Sequence, residues 1–157
     1  MNIKLIAIGK TDNKALLTLI DDYQKRLSFY IKFDLEIIPD IKNVKNLSEA
    51  QQKEKEGELI LAKLSATDQL ILLDENGKNF SSMGFSEQLQ KKMNSGIKTL
   101  VFVIGGPYGF SPEVYNKAQG KISLSAMTFS HQMVRLFFIE QVYRAFTILR
   151  NEPYHHQ

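Results

Sequence analysis

The segment TLVFVIGGPYG, residues 99–109, decides the fold class of this 157-residue chain. Its first six residues form an almost wholly apolar, β-prone run, which is typical of a strand buried on both faces of a parallel sheet. The run ends at Gly105 and Gly106, where a glycine pair serves a tight turn or lets a ligand approach the backbone. The residues alone favour neither use. Ligands of open α/β sheets bind beyond the carboxyl ends of the strands, so a site is expected at this end.

Working outward, segments with the pattern of strands alternate with segments in which apolar residues recur at helical spacing. The other predicted strands are residues 2–9, 33–39, 69–75 (followed by an Asn76-Gly77 turn signal) and 121–124. The predicted helices run from an Asp12 cap to Leu27, from a Ser48–Gln51 capping box to about Leu64, over 81–94, from Ser111-Pro112, and over 131–150. This alternation predicts an α/β fold, with a mostly parallel sheet and helices on both faces. With no internal repeat and no linker, residues 1–157 are predicted to form one domain.

Composition excludes several classes of function. The chain has 20 Lys and Arg against 17 Asp and Glu, and the net charge of +3 permits an anionic partner without demonstrating one. It has no Cys, which excludes disulfides, thiolate zinc sites and cysteine nucleophiles. The apolar runs are far shorter than the ~20 residues of a membrane span, and the run at residues 5–8 is too short for a signal peptide. We therefore expect a cytoplasmic protein with no membrane partner.

The last predicted helix, residues 131–150, is apolar nearly all the way round. A helix that lies on a sheet needs only one apolar stripe, so the second side of this helix requires another cover. In a chain this short that cover is predicted to be a second copy, which gives a homodimer. The alternative is burial by the neighbouring loop and tail. By contrast, residues 49–58 are almost entirely polar, and their mixed charge favours a solvated helix start over a mobile basic arm for RNA.

The arginines of the last helix allow two interpretations. Glu140 and Arg144 lie four residues apart and can form an ion pair on one helix face. The spacing favours the first interpretation, in which these arginines are structural charges at an interface. In the second, functional interpretation, they bind phosphate groups. In that second interpretation, Arg135 and Arg144 are the predicted RNA contacts.

The C-terminal tail EPYHHQ, residues 152–157, carries residue types that are useful in a site. Tyr154 can stack on a base, and His155 can move a proton near neutral pH. The alternatives are a disordered end or the remnant of a tag. A metal site is disfavoured because the adjacent His155 and His156 would seldom share one ion. A triphosphate nucleotide is disfavoured as well, since GGPYGFSP is neither a P-loop nor the G-x-G-x-x-G fingerprint.

Three sets of residues carry a family resemblance: GGPYG after the apolar strand, the run SLSAMTFSHQMVRLFFIEQVYRAFTILRNEPYH, and the earlier IKLIAIGK, YQKRL and EKEGELIL. In this order they resemble the RlmH (YbeA-type) family. The resemblance implies a homodimeric SPOUT-class methyltransferase with a trefoil knot near its C-terminus. It implies transfer of a methyl group from S-adenosylmethionine to N3 of a pseudouridine in the intersubunit-bridge stem-loop of 23S rRNA, in the assembled 70S ribosome. No metal is implied.

By position, the resemblance also implies a set of site residues. The cofactor contacts would be Leu73, Gly105, Leu124, Ser125, Ala126, Met127, Thr128 and Phe129. The tail would act in catalysis through Tyr154 and His155. Methylation at N3 also requires the N3 proton to leave, and a neutral His155 is the group expected to take it. Because the last helix is apolar nearly all round, we hypothesise that the tail closes over the partner subunit's cofactor. Some members carry a basic residue after that histidine, whereas this chain has His156 and Gln157.

Two other functions compete with this one. A non-catalytic dimeric protein of the same fold that binds RNA or the ribosome is the closer alternative, and an intact cofactor loop disfavours it. A flavodoxin-like nucleotide module would need a phosphate loop after the first strand, and residues 9–12 offer only a weak version.

Overall fold

The computed structural model describes residues 1–156 and contains one five-stranded sheet. The strands are β1 Asn2–Ile8, β2 Phe33–Ile38, β3 Gln69–Asn79, β4 Thr99–Ile104 and β5 Gly120–Ser123. Their order is β2-β1-β4-β3-β5, and every neighbouring pair is parallel. The segment TLVFVI lies in the middle of this order, and five of its six residues are buried. The predicted parallel α/β fold is confirmed.

Five α-helices cover the two faces of the sheet. They are α1 Lys14–Leu27, α2 Glu49–Leu61, α3 Ser82–Asn94, α4 Pro112–Lys117 and α5 Met133–Leu149, with a short 3₁₀ turn at Val44–Asn46. Buried residues of α1, α3 and α5 form one core around Phe102 and Phe138. Ile60 of α2 and Val114 of α4 form the core of the opposite face with Val101 and Val103. Helices therefore lie on both faces, as predicted.

Most of the local start and stop signals are confirmed, and two are wrong. Ser48 and Gln51 form the predicted capping box, and Pro112 occupies the first turn of α4 behind its Ser111 cap. The cap of α1 is Asn13 instead of Asp12, because the Asn13 side chain accepts from the amides of Ala15 and Leu16.

The Asn76-Gly77 turn signal is the second error. Strand β3 continues to Asn79, and after a register shift Lys78 and Asn79 pair with β5. A methyl group on Gly77 would lie 2.6 Å from the amide nitrogen of Ile122. The glycine is therefore required by this close strand contact.

Helix α5 is largely covered from within its own subunit. It packs against α1 and α3, and Phe138, Ile139 and Val142 are fully buried. Its outer side is less covered, since Met133 is 44% exposed and Leu136 and Phe137 are partly exposed. The homodimer stays a prediction. Within residues 1–156, none of the helices has the length and apolar character that crossing a membrane requires.

The connection from β5 to α5 crosses the top of the sheet. It leaves the edge strand β5 and reaches the end of β1, where the Gln132 side chain bonds to Lys10 and Asp12 over 3.0 Å each. It therefore passes the carboxyl ends of β3 and β4. The trefoil knot implied by the resemblance involves this segment and stays a prediction.

Candidate functional site

A cleft of about 550 Å³ lies at the carboxyl ends of β3, β4 and β5. The ends of these three strands meet there because neighbouring parallel strands finish at the same edge of the sheet. All eight predicted cofactor contacts line this cleft: Leu73, Gly105, Leu124, Ser125, Ala126, Met127, Thr128 and Phe129. The sequence prediction therefore selected residues that the fold brings into one place.

The glycine pair after β4 is required by packing. Neither Gly105 nor Gly106 has a positive φ. A methyl group on Gly105 would lie 3.1 Å from the Phe110 ring, and one on Gly106 would overlap the Glu56 carboxyl group. Both missing side chains thus let neighbouring side chains approach the backbone, while the backbone itself borders the cleft.

The rim of the cleft carries a paired acid and phenol. The Tyr115 hydroxyl donates a hydrogen bond to Asp74, whose other carboxylate oxygen accepts from the Asn76 amide at 2.8 Å. Burial and the bond to Asp74 raise the pKa of Tyr115 to about 12. The rim therefore presents an acidic side chain held in place by a protonated phenol. Leu73, Ile104 and Phe129 give the cleft an apolar lining.

The loop 124–129 supplies one wall of the cleft. Ser123 Oγ donates to the Ser125 carbonyl at 2.9 Å, and the Met127 amide donates to Ser125 Oγ at 3.0 Å. These bonds fix the turn of the loop. Within the loop, the Met127 side chain is 78% exposed. The stretch has no sequence period because it is held by such local bonds instead of regular structure.

His131 also lines the cleft, and the sequence analysis gave it no role there. Its ring lies close to the backbone of Gly106, between the two loops of the cleft. Burial and the positive charge of Arg135 lower the pKa of His131, which keeps the ring neutral at neutral pH. The only signal in the sequence was its position two residues after Phe129, the last predicted cofactor contact.

The structure gives Arg135 a buried position in place of the predicted RNA contact. Its side chain is 1% exposed. Its guanidinium donates to the carbonyl oxygens of Ile8 and Gly9 at 2.8 and 2.7 Å and to Thr11 Oγ1 at 2.8 Å. These bonds fasten the start of α5 to the end of β1, so RNA does not reach this arginine in the structure.

Arg144 organises the tail of its own subunit. It forms the predicted ion pair with Glu140, at 2.6 Å, and its guanidinium lies over the Tyr154 ring at 4.7 Å. It also lies 3.2 Å from His155 Nδ1. Its side chain is 24% exposed, so an RNA contact by Arg144 stays a prediction.

The tail is packed against α1 and α5, which rules out a disordered end over the described residues. The Tyr154 hydroxyl bonds with that of Tyr23 at 3.0 Å and with Glu140 at 2.8 Å, and Tyr30 bonds to Glu152. Burial and these bonds raise the pKa of Tyr154, so its phenol stays protonated. No residue from 151 to 156 lines the cleft of its own subunit. Gln157 lies outside the described residues.

The contact with Arg144 determines which His155 nitrogen carries the proton. A guanidinium only donates hydrogen bonds, so His155 Nδ1 accepts and the neutral ring carries its proton on Nε2. In this arrangement Nε2 donates. Acceptance of a proton by His155 therefore requires Nδ1 to leave Arg144.

The described part of the chain, residues 1–156, contains no cluster of three or more His, Cys, Asp or Glu side chains that could hold a metal ion.

The whole chain is similar to proteins of known family. A sequence model described as a predicted SPOUT methyltransferase matches residues 1–155. Proteins named ribosomal RNA large subunit methyltransferase H are 89% identical in Flavobacterium johnsoniae, 86% in Flavobacterium psychrophilum and 68% in Christiangramia forsetii. Each comparison covers 100% of both chains.

Proposed function

The chain belongs to the SPOUT methyltransferase family, and from this premise we propose that it methylates the RNA of the large ribosomal subunit with S-adenosylmethionine as the methyl donor. The target we propose is N3 of a pseudouridine in the intersubunit-bridge stem-loop of 23S rRNA, reached in the assembled 70S ribosome. Relatives of 89% and 86% identity carry the name ribosomal RNA large subunit methyltransferase H. The observation that carries the proposal is the gathering of all eight predicted cofactor contacts around one cleft.

The cleft fits the proposed cofactor in size and chemistry. Its volume of about 550 Å³ lies within the ~300–1,000 Å³ of small-molecule sites. The apolar side chains of Leu73, Ile104 and Phe129 suit a flat purine ring, and the acidic rim at Asp74 suits a ligand with hydroxyl groups and positive charge. When bound, S-adenosylmethionine supplies an activated methyl group, which needs no metal to leave.

The protein's contribution is mainly orientation. Leu73, Gly105 and the loop 124–129 would hold the donor, and the tail would hold the base so that N3 lies in line with the methyl group. While Arg144 occupies Nδ1, His155 Nε2–H would suit donation to a carbonyl oxygen of the base, and the N3 proton would pass to solvent water. If His155 instead takes the N3 proton, it must first release Arg144.

Two copies would complete each site. The tail lies on its own α1 and α5 and does not line its own cleft, so Tyr154 and His155 would serve the cleft of a second subunit. Met133 and Phe137 leave an incompletely covered apolar strip on α5 for that subunit to bury. This supports the homodimer predicted from the apolar character of the helix.

The first experiment is transfer of labelled methyl groups to ribosomes from cells that lack the modification. Assembled 70S particles and free 50S subunits are incubated separately with the protein and methyl-labelled S-adenosylmethionine, and the labelled base is mapped. We expect label on the pseudouridine, mainly in 70S particles. Label on another base would overturn the proposed target. Donor binding without label on either particle would overturn the ribosomal substrate, and absence of both would favour the non-catalytic alternative.

His155 is tested in the same assay. We expect His155→Ala to lower the rate by about 10²-fold or more, the range of a positioned proton donor or acceptor. His156→Ala is the matched control, since His156 is an exposed neighbour and the Arg144 contact is made by His155. Full methylation by His155→Ala would remove His155 from the proposed site.

A further inference from the structure

Helix α2 contributes a buried carboxyl group that none of the functions above uses. Glu56 is 3% exposed, and neither Oε1 nor Oε2 has a hydrogen-bond partner among the described residues. Burying a polar group without a partner is unfavourable, and an apolar side chain of the same size would fill the space without that cost. The helix thus keeps a carboxyl group where packing alone would favour methionine or leucine.

Glu56 lies directly on the loop that forms one wall of the cleft. A methyl group on Gly106 would overlap Glu56 Oε2 and lie 2.7 Å from Cδ and Oε1. At the next position, a methyl group on Gly57 would overlap Ser111 Oγ and lie 3.1 Å from Val114 Cγ2. Two consecutive residues of α2 therefore contact both ends of the segment 106–111.

The contacted loop borders the cleft along its whole length. Residues 105–110 all line the cleft, opposite the loop 124–129. Because Glu56 packs directly on Gly106, a displacement of Glu56 would move this loop and change the shape of the cleft.

The surroundings of Glu56 favour the neutral acid. Burial raises the pKa of this carboxyl group, the negative charge of Asp40 raises it further, and the Gln52 side chain opposes the shift. Within residues 1–156, no Lys or Arg side chain forms an ion pair with Glu56. Its polar atoms face loop backbone instead of a counter-ion.

We infer that Glu56 is a positioning residue, which fixes Gly106 and with it the wall of the cofactor cleft, and whose free polar atoms bond to the loop backbone in the ligand-bound state. The cofactor named here rests on the proposed function. The role requires both the volume and the polar atoms of the side chain. Glutamine supplies both, methionine supplies the volume alone, and alanine supplies neither.

The test compares these three substitutions by calorimetric titration with S-adenosylmethionine and by thermal unfolding. Glu56→Gln should bind within about threefold of the wild type, whereas Glu56→Met should bind at least about tenfold more weakly. Glu56→Met should also unfold at the same temperature or higher, because it removes an unpartnered polar group. At cofactor concentrations below the Kd, the methylation rate of Glu56→Met should fall by at least about tenfold, in step with its affinity. Glu58→Met, an exposed position on the same helix, is the control.

A merely structural role would give a different pattern. In that case Glu56→Met would bind as tightly as Glu56→Gln, and this result would overturn the inference. Loss of affinity in parallel with loss of stability would do the same. Weak binding by a variant of undiminished stability supports the role.

A double-mutant cycle tests the contact without any ligand, so failure of the proposed function would remain distinguishable. Gly106→Ala should lower the unfolding temperature of the wild type, because the new methyl group overlaps Glu56. In the Glu56→Ala background, Gly106→Ala should lower the unfolding temperature by less than half as much, because the overlapping atoms are gone. Additive effects would overturn the inference even if the cofactor binds. If the wild type fails to bind S-adenosylmethionine while the cycle is non-additive, the proposed cofactor is wrong and the positioning of the loop stands.

Discussion

Among the fully buried residues of the described chain, the bulkiest side chain belongs to an arginine. Arg135 joins the end of β1 to the start of α5 through three hydrogen bonds, two of them to backbone carbonyl oxygens. Burial lowers its pKa, and the negative charges of Asp40 and Asp12 oppose the shift. The helical spacing of the arginines indicates only which helix face they share. It does not show that the face of Arg135 is turned toward the end of β1.

For single residues, the sequence predicted the location of side chains at strand ends better than that of side chains that contact a distant element. Leu73, Gly105 and Leu124 were accessible to prediction because strand ends are readable and parallel strands end together. Glu56 was placed in a solvated helix start, because its neighbours Lys55 and Glu58 are polar and exposed. Its burial depends on Gly106, fifty residues later, and no local pattern expresses that contact.

The raised pKa of Glu56 predicts a specific pH dependence of stability. The folded protein keeps this proton to a higher pH than the unfolded chain, so the free energy of unfolding falls as pH rises from the ordinary glutamate value of 4.5 through the folded value. Glu56→Gln removes this titrating group. We expect the variant to gain stability relative to the wild type across that window, by about 1.4 kcal/mol for each pH unit between the unfolded and folded pKa values, and to show no pH-dependent difference below it.

Urea unfolding of both proteins between pH 4 and pH 8 measures this difference. His131 is present in both proteins, so the contribution of its lowered pKa largely cancels. Glu58→Gln, at an exposed carboxylate of the same helix, should show no such window. A constant difference between Glu56→Gln and the wild type would contradict the prediction.

At the scale of elements, α2 shows how close contact overrides helix propensity. Its capping box was predicted correctly because the two side chains and the amides they cap lie within four residues. Gly57 is different, because alanine at a helix interior is favoured over glycine by about 1 kcal/mol. The glycine is retained where α2 approaches the Ser111 cap of α4. Propensity predicts the helix, and only the packed structure explains its glycine.

Two glycine-to-alanine substitutions should therefore have opposite signs. Gly57→Ala should destabilise the protein by about 1–3 kcal/mol, because the new methyl group overlaps Ser111 Oγ. Gly84→Ala in α3 should stabilise it by about 0.4–1 kcal/mol, because its methyl group meets only ordinary contacts, the nearest at 3.4 Å. Chemical denaturation of the two variants measures both values.

Removal of the overlapping hydroxyl provides the control for this pair. Ser111→Gly takes away Oγ and costs only a few tenths of a kcal/mol as a cap. Gly57→Ala should therefore be tolerated better in the Ser111→Gly background. An equal loss of unfolding free energy in both backgrounds would show that the new methyl group clashes with an atom outside Ser111.

At the scale of the whole molecule, the two faces of the sheet have different tasks. The α2 and α4 face supports the loop 105–110 from behind, whereas the α1, α3 and α5 face carries the tail. The cleft lies at the strand ends between them, and the tail of the same subunit does not line it over the described residues. Periodicity predicted the sheet and both helical layers. It could not predict where the tail packs, because six residues without a periodic pattern do not indicate which surface they contact.

The separation of tail and cleft makes the oligomeric state a direct test of the proposed site. Met133 lies on the outer side of α5 and is 44% exposed, and it lines the apolar strip that includes Leu136 and Phe137. We expect the wild type to have twice the chain mass of 18.0 kDa by light scattering, and Met133→Glu to have the single mass. A carboxylate buried between two copies would lose its hydration without gaining a partner.

Leu19→Glu is the matched control, because Leu19 on α1 has nearly the same exposure, 45%, on another helix. It should leave the wild-type mass unchanged. Since each proposed site draws its tail from the second copy, Met133→Glu should also lose methylation while its thermal unfolding stays cooperative. A monomeric Met133→Glu variant with full activity would mean that a subunit completes its own site, and the tail would then have to leave Tyr23 and Glu140 to reach the cleft. A dimeric Met133→Glu variant would move the interface away from this side of α5.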